Sequence, residues 1–309
     1  MVPQRLNFGI FMAPFHHKGD NPTLSLQRDL ELLVRLDELG YDEAWIGEHH
    51  SGGWEIIASP EVFIAAAGQV TKKIRLGTGV VSIPYHHPFH TADRMVLIDH
   101  LTRGRAMFGV GPGALPGDAW MLGIDPSTQR KRMDEGLGII IQLMTSDEPV
   151  SYECEWFTLR DARLQLKPYQ RPHMPIAVAS TLSPAGMTTA GKHGAGVLSV
   201  ASYSEQGLQA LTTQWGFCEE AAAQAGRPAP DRRNWRIVMP FHLAETREEA
   251  IADVEDGIME WNNEYFVGTL GAPNQQPVDS GRQAAERLIG FGGIIGTPDD
   301  AVEIGRAHV

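Results

Sequence analysis

Cysteine is scarce. The 309 residues hold two, Cys154 and Cys218, far apart and in no C-x-x-C pattern. That leaves no disulfide framework, and both read as free thiols of a cytoplasmic protein. No Cys/His set has the spacing of a zinc site, so no metal is expected. Positive charge is in deficit too, with 26 Lys and Arg against 38 Asp and Glu and a net charge of −12. Without a basic stripe, nucleic acid is not an expected partner. No apolar run reaches membrane-spanning length, so no membrane is expected either. Met1-Val2-Pro3-Gln4-Arg5 leads straight into a strand-like run and has no apolar signal-peptide core. Nucleotide signatures are also missing. No G-x-G-x-x-G opens a helix after a first strand, which disfavours a Rossmann site. Gly109-Val110-Gly111-Pro112-Gly113 is glycine-rich but lacks the lysine and hydroxyl of a P-loop.

What is present is the profile of a globular chain, 42% apolar and 21% charged. Its length fits one barrel-type domain over residues 1–309. Strand-like runs at 6–14, 42–48, 74–81 and 106–110 alternate with helical patterns over 26–39, 59–67, 88–101 and 127–144. Ser59-Pro60 has the form of an N-cap followed by a first-turn proline. Residues 145–174 break the rhythm as an insertion, where Val150-Ser151-Tyr152 and Trp156-Phe157-Thr158-Leu159 can pair as a hairpin. Strands at 175–179, 196–201 and 236–244 then alternate with helices at 184–193, 204–224 and 247–261. Residues 266–296 read as an irregular, glycine-rich, lid-like segment, and Thr297 as the N-cap of a last helix. Repeated strand–helix units imply a parallel sheet, and seven of them favour an α/β fold of the (β/α)8 TIM-barrel type. The final strand is missing on this reading, which suggests a truncated chain because an open barrel leaves unpaired edges.

Chemistry in such folds sits at the carboxyl ends of strands. The second strand runs apolar and stops at Glu48-His49-His50. Successive strand residues face opposite ways, so His49 and His50 cannot easily share one metal. One inward histidine beside Glu48 suits acid–base work near neutral pH, against the alternative of a structural histidine. The other strand ends are small or apolar, which suits a flat apolar ligand and not a sugar site needing two carboxylates. Ser180-Thr181-Leu182-Ser183-Pro184 opens a helix. Hydroxyls and free N–H groups there make an anion site, although Ser183 as a simple cap is the commoner use. Arg130 and Arg132 are candidates for the same phosphate. Gly111 lies where a ring can approach the backbone closely, or in an ordinary tight turn. His86-His87, between prolines, can wall the pocket or lie on the surface. Trp54 and Trp120 can cover the site or belong to the core.

Four motifs carry a family resemblance over nearly the whole chain. They are Gly40-Tyr41-Asp42-Glu43-Ala44-Trp45-Ile46-Gly47-Glu48-His49-His50; Ile74-Arg75-Leu76-Gly77-Thr78-Gly79-Val80; Leu101-Thr102-Arg103-Gly104-Arg105 with Phe108-Gly109-Val110-Gly111; and Arg132-Met133-Asp134-Glu135. With them the sequence resembles the bacterial luciferase-like flavin-dependent monooxygenases. Ser51-Gly52-Gly53-Trp54-Glu55-Ile56 and Tyr85-His86-His87-Pro88-Phe89 are similar to the limonene 1,2-monooxygenase-like branch. The resemblance implies a cytoplasmic homodimer that takes reduced FMN (FAD being the alternative) from a separate NAD(P)H-flavin reductase. Oxygen would add to the flavin as a hydroperoxide, and one atom would pass to a small apolar substrate such as a monoterpene. It also implies His49 as the catalytic histidine, with Glu48 beside it. Ser180, Thr181 and Ser183 would form the phosphate loop, helped by Arg130 or Arg132, and a non-prolyl cis peptide is implied at Gly79-Val80. Luciferase's reactive cysteine and the neighbouring phosphate-binding arginine of the family correspond to Gly111 and Pro112, so light emission is not implied. Two other readings stand beside this one: a deazaflavin-dependent oxidoreductase of the same superfamily, and a non-catalytic flavin-binding protein.

Overall fold

The structure is a computed structural model, described over residues 6–13, 15–200, 205–271 and 276–307. It divides into two compact units, Met1–Ala179 with Lys192–Gly196, and Ser180–Gly191 with Val197–Val309.

The first unit opens with β1 (Gly9–Met12), α1 (Pro22–Leu39), β2 (Glu43–Ile46), α2 (Pro60–Val70) and β3 (Arg75–Thr78). Local chemistry fixes these limits. Asn21 caps α1 by accepting from the Thr23 and Leu24 N–H groups, and Gly40 ends it in the left-handed region at φ 81°. Next come β4 (Val81–Ser82), α3 (Pro88–Leu101), β5 (Ala106–Gly111), α4 (Pro116–Met121) and α5 (Gln129–Thr145). The hairpin expected near 150–159 is present as antiparallel β6 (Val150–Glu153) and β7 (Thr158–Ala162), followed by β8 (Ile176–Ser180, its last residue in the second unit). In this unit β1, β2, β3, β5 and β8 pair in that order, all parallel, with β4 also on β5. All four residues of β2 are buried, including Glu43, which accepts from the Trp45 indole N–H at 3.0 Å. Trp45 lies across β3, where a Cβ on Gly77 would come 2.5 Å from its ring. Glycine at 77 is what lets the tryptophan pack there.

The second unit holds α6 (Ala185–His193, its last two residues in the first unit), β9 (Gly196–Ser199), α7 (Glu205–Gln224), β10 (Trp235–Ile237), β11 (Phe241–Leu243) and α8 (Arg247–Glu260). The expected strand at 236–244 is therefore two short ones, with Val238, Met239 and Pro240 between them. The expectation of an irregular 266–296 and a missing final strand is corrected here. A π-helix runs from Trp261 to Thr269, α9 covers Gly281–Gly290, and β12 (Ile294–Gly296) pairs in parallel with β11. Residues 272–275 of that segment lie outside the described residues. The last helix, α10 (Pro298–Ala307), starts in a reciprocal cap between Thr297 and Asp300, as Thr297 predicted. No helix among the described residues is long and apolar enough to cross a membrane.

Candidate active site

The carboxyl end of β2 carries a dense ionic network within the first unit. His49 has each ring nitrogen against a carboxylate, Nδ1 at 3.2 Å from Asp118 Oδ2 and Nε2 at 3.0 Å from Glu55 Oε2. Glu55 is set in place by an antiparallel bridge between its backbone and that of Phe15. Asp118 sits on α4, 1% exposed, and its Oδ1 accepts from the His50 N–H at 3.1 Å and the Ser51 hydroxyl at 2.6 Å. Gly117 makes room for that approach, since a Cβ there would lie 2.7 Å from Ser51 Oγ.

Glu48 does not bond to His49. Its Oε1 lies 2.9 Å from both His50 Nε2 and His86 Nε2, and its Oε2 accepts the Ser82 N–H at 3.1 Å. These three side chains also form the one group of metal-competent atoms among the described residues, all within 4.8 Å of one another. Two imidazole N–H groups on one carboxylate oxygen, at ordinary hydrogen-bond length, account for the cluster without an ion.

The charges lock one another. Burial alone would lower the pKa of His49; the Asp118 hydrogen bond and the charges of Glu55, Asp118 and Glu48 outweigh it and hold the ring above the usual histidine value. Burial would raise Glu48 and Asp118. The hydrogen bonds from His50 and His86 keep Glu48 low, and those from His49, Ser51 and the His50 backbone keep Asp118 low. The Glu48 hydrogen bond holds His50 above its ordinary value. Tyr85 is pushed up to about 12 by burial and the Asp118 charge, so it stays a phenol near neutral pH.

The other expected residues are distributed as follows. The Gly79–Val80 peptide is cis. Gly111 packs against Val80, with 2.6 Å between a Cβ placed at Gly111 and Val80 Cγ2. Arg130 is exposed at the start of α5, and the Arg132 guanidinium stands 5.6 Å from the centre of the Trp156 ring. His86 joins the Glu48 network, whereas His87 caps α3 by accepting the Phe89 N–H. Trp54 is core, 1% exposed and stacked on Phe15 at 4.8 Å; Trp120 is 71% exposed. In the second unit, Ser180 is buried and its Oγ has no hydrogen-bond partner among the described residues. Thr181 is exposed and Ser183 half-buried just before α6.

Sequence reasoning missed Glu55 and Asp118, the two carboxylates that hold His49. Asp118 is 69 positions from His49, in a Gly- and Pro-rich stretch with no motif of its own. The available signal was an acid shortly after the carboxyl end of β5.

Residues 6–304 match the family described as luciferase-like monooxygenase. The chain belongs to this family. Within it, the chain is 47% identical, over 98% of its own length and 82% of the other's, to the 4-hydroxyprotoasukamycin monooxygenase of Streptomyces nodosus subsp. asukaensis. It is 45% identical to the limonene 1,2-monooxygenase of Rhodococcus erythropolis, over 96% of this chain and 76% of that one. A solved structure of the oxygenating constituent of 3,6-diketocamphane monooxygenase from Pseudomonas putida, in complex with FMN, superposes with a TM-score of 0.80. It is 26% identical, covering 97% of this chain and 87% of that one. A monooxygenase from Streptomyces bottropensis superposes with a TM-score of 0.85 at 24% identity, over 98% and 88% of the two chains, which speaks to the luciferase-like fold alone.

Proposed function

We propose that this luciferase-like protein is the oxygenating component of a two-component flavin-dependent monooxygenase acting on a small apolar substrate of monoterpene type. The observation that carries the reading is the near-full-length identity to two monooxygenases, one of them acting on limonene. FMN is the proposed cofactor, supported by its presence in the diketocamphane relative. A separate NAD(P)H-flavin reductase is the proposed source of reduced flavin, since the sequence offers no dinucleotide signature. A homodimer is the proposed assembly.

Each unit, taken by itself, has a feature that suits a flavin. In the first, a Cβ on Gly79 would meet Trp45 and one on Gly111 would meet Val80, so both positions need glycine, and the backbone at Gly79, Val80 and Gly111 is the proposed contact for the ring. In the second, the unpartnered Ser180 hydroxyl and the start of α6 suit a phosphate. Reduced flavin supplies, when bound, the electrons that split O2, one atom going to the substrate and the other leaving as water. The chain's own task is to deliver protons and hold geometry. His49 is favoured in its doubly protonated form, and Asp118, fixed by three donors, anchors Nδ1. The proton at Nε2 is held by Glu55 at 3.0 Å, so in the proposed step His49 exchanges that hydrogen bond for one to the oxygen leaving as water and gives up the proton there. Glu48 orients His50 and His86 and acts on His49 through charge alone.

The test is a single turnover. Protein loaded anaerobically with reduced FMN is mixed with 18O2 and limonene, and the expected product carries one labelled oxygen. Turnover only with a reduced deazaflavin and without O2 uptake would replace this reading with hydride transfer. Failure to bind reduced FMN at all would favour a non-enzymatic role.

A further inference from the structure

Gln214 lies on α7 with 1% of its surface exposed. Its Nε2 donates to the Thr181 carbonyl at 2.5 Å, which fixes which end of the amide faces the loop, because a carbonyl only accepts. Thr181 belongs to the 180–183 segment before α6, and the Thr181–Leu182 peptide is not one of the chain's cis bonds. A trans peptide is a rigid plane whose C=O and N–H point opposite ways. Holding the Thr181 carbonyl against α7 therefore turns the Leu182 N–H to the other side. The preceding plane is pinned in the same manner, with the Ser180 carbonyl accepting the Val200 N–H at 3.0 Å. Among the described residues, the N–H groups of Thr181, Leu182 and Ser183 meet no acceptor. The buried Ser180 Oγ is likewise unpartnered. The N–H groups of the exposed Thr181 and Leu182 are open to solvent and so to a ligand, and the buried, unpartnered Ser180 Oγ beside them marks a place for a ligand that accepts hydrogen bonds.

We infer that Gln214 is a positioning residue for anion recognition. By holding the Thr181 carbonyl it aims the loop's N–H groups at a phosphate and turns away a carbonyl oxygen that would repel one. The inference rests on the reading that residues 180–183 take the FMN phosphate, and it adds a residue that no motif marked.

Anaerobic calorimetry with reduced FMN and with reduced riboflavin, which lacks the phosphate, separates the two claims. Wild-type protein is expected to bind FMN more tightly than riboflavin. Gln214→Leu should weaken FMN about tenfold, the scale of one hydrogen bond, and leave riboflavin unchanged. Ser180→Ala should also narrow the FMN preference. Equal weakening of both ligands by Gln214→Leu, or no change in either, overturns the role of Gln214 while the Ser180→Ala result leaves the phosphate reading standing. If wild-type protein shows no FMN preference, the phosphate reading fails and the inference falls with it. Should Gln214→Leu not fold, amide exchange in wild-type protein decides. FMN, and not riboflavin, should slow exchange at Leu182, and equal protection by both overturns the inference.

Discussion

The network around His49 and the loop at 180–183 are opposites. In the first, nearly every polar atom has a partner inside the protein: three histidines, three carboxylates, a serine and two backbone N–H groups close on one another. In the second, a buried hydroxyl and three N–H groups have none among the described residues. A satisfied network holds charges and protons in fixed places, which is what a site of chemistry needs. In the loop the buried Ser180 hydroxyl is without a partner and the exposed N–H groups face solvent, so its donors are free for something that binds. The two regions should therefore answer opposite ways to the removal of a polar group.

The largest expected effect is on turnover. His49→Ala removes the ring that both carboxylates hold, and the oxygenation rate should drop by roughly 10²–10⁴, the usual weight of a positioned acid or base. Single-turnover product yield per folded protein reads this, and an unchanged rate would remove His49 from the chemistry. Next is stability. Asp118→Ala leaves His49, Ser51 and the His50 N–H without their common acceptor and should cost about 3 kcal/mol, as when one partner of a buried pair is removed. Urea unfolding measures it. A loss below about 1 kcal/mol would mean that water replaces the carboxylate.

Acidity gives a smaller and two-sided signature. His49 and His50 are held above their ordinary value, so their contribution is complete below about pH 6.5 and is lost as pH rises through the raised values. Glu48 and Asp118 are held below theirs, so their contribution is complete above about pH 4 and is lost as pH falls through the lowered values. The unfolding midpoint should be highest between these limits. His49→Ala should flatten the alkaline side, while Ser180→Ala should leave the profile's shape alone, because the 180–183 loop contributes hydroxyls and N–H groups that do not titrate there. An alkaline limb of the same depth in both variants would assign it to other groups.

The same contrast explains what the sequence disclosed. The end of β2 was legible because an apolar run stopping at three ionisable residues is rare in a buried strand, and α3 was legible to the residue, Pro88–Leu101, because proline marks its start. Glu48 was expected beside the catalytic His49, and its hydrogen bonds go to His50 and His86. β2 ends at Ile46, before the strand end expected at 48, so strand alternation does not govern residues 48–50, and the bond observed joins His50 Nε2 to Glu48 Oε1. Asp118 and Glu55 were hidden because their contacts are made by tertiary placement and not by spacing. β12 was hidden for another reason: Ile294 and Ile295 sit between glycines, too few residues for a period to show. Gln214 was illegible altogether, since a glutamine in a helix announces nothing until the carbonyl it meets is known.

The smallest effect is the most discriminating. In the protein without flavin, Ser180→Ala removes a buried oxygen that has no partner, so the usual cost of deleting a hydrogen bond does not arise. The variant should be as stable as the parent or slightly more so, by up to about 1 kcal/mol, whereas Asp118→Ala is strongly destabilising under the same conditions. Adding reduced FMN should reverse the order at Ser180: the parent gains more thermal stability than the variant, because only the parent offers the hydroxyl to the phosphate. Melting curves with and without the ligand give both numbers. A variant that is less stable without flavin would show that Ser180 Oγ already has a partner, and the contrast between a closed network and a waiting loop would then fail at the residue on which it chiefly rests.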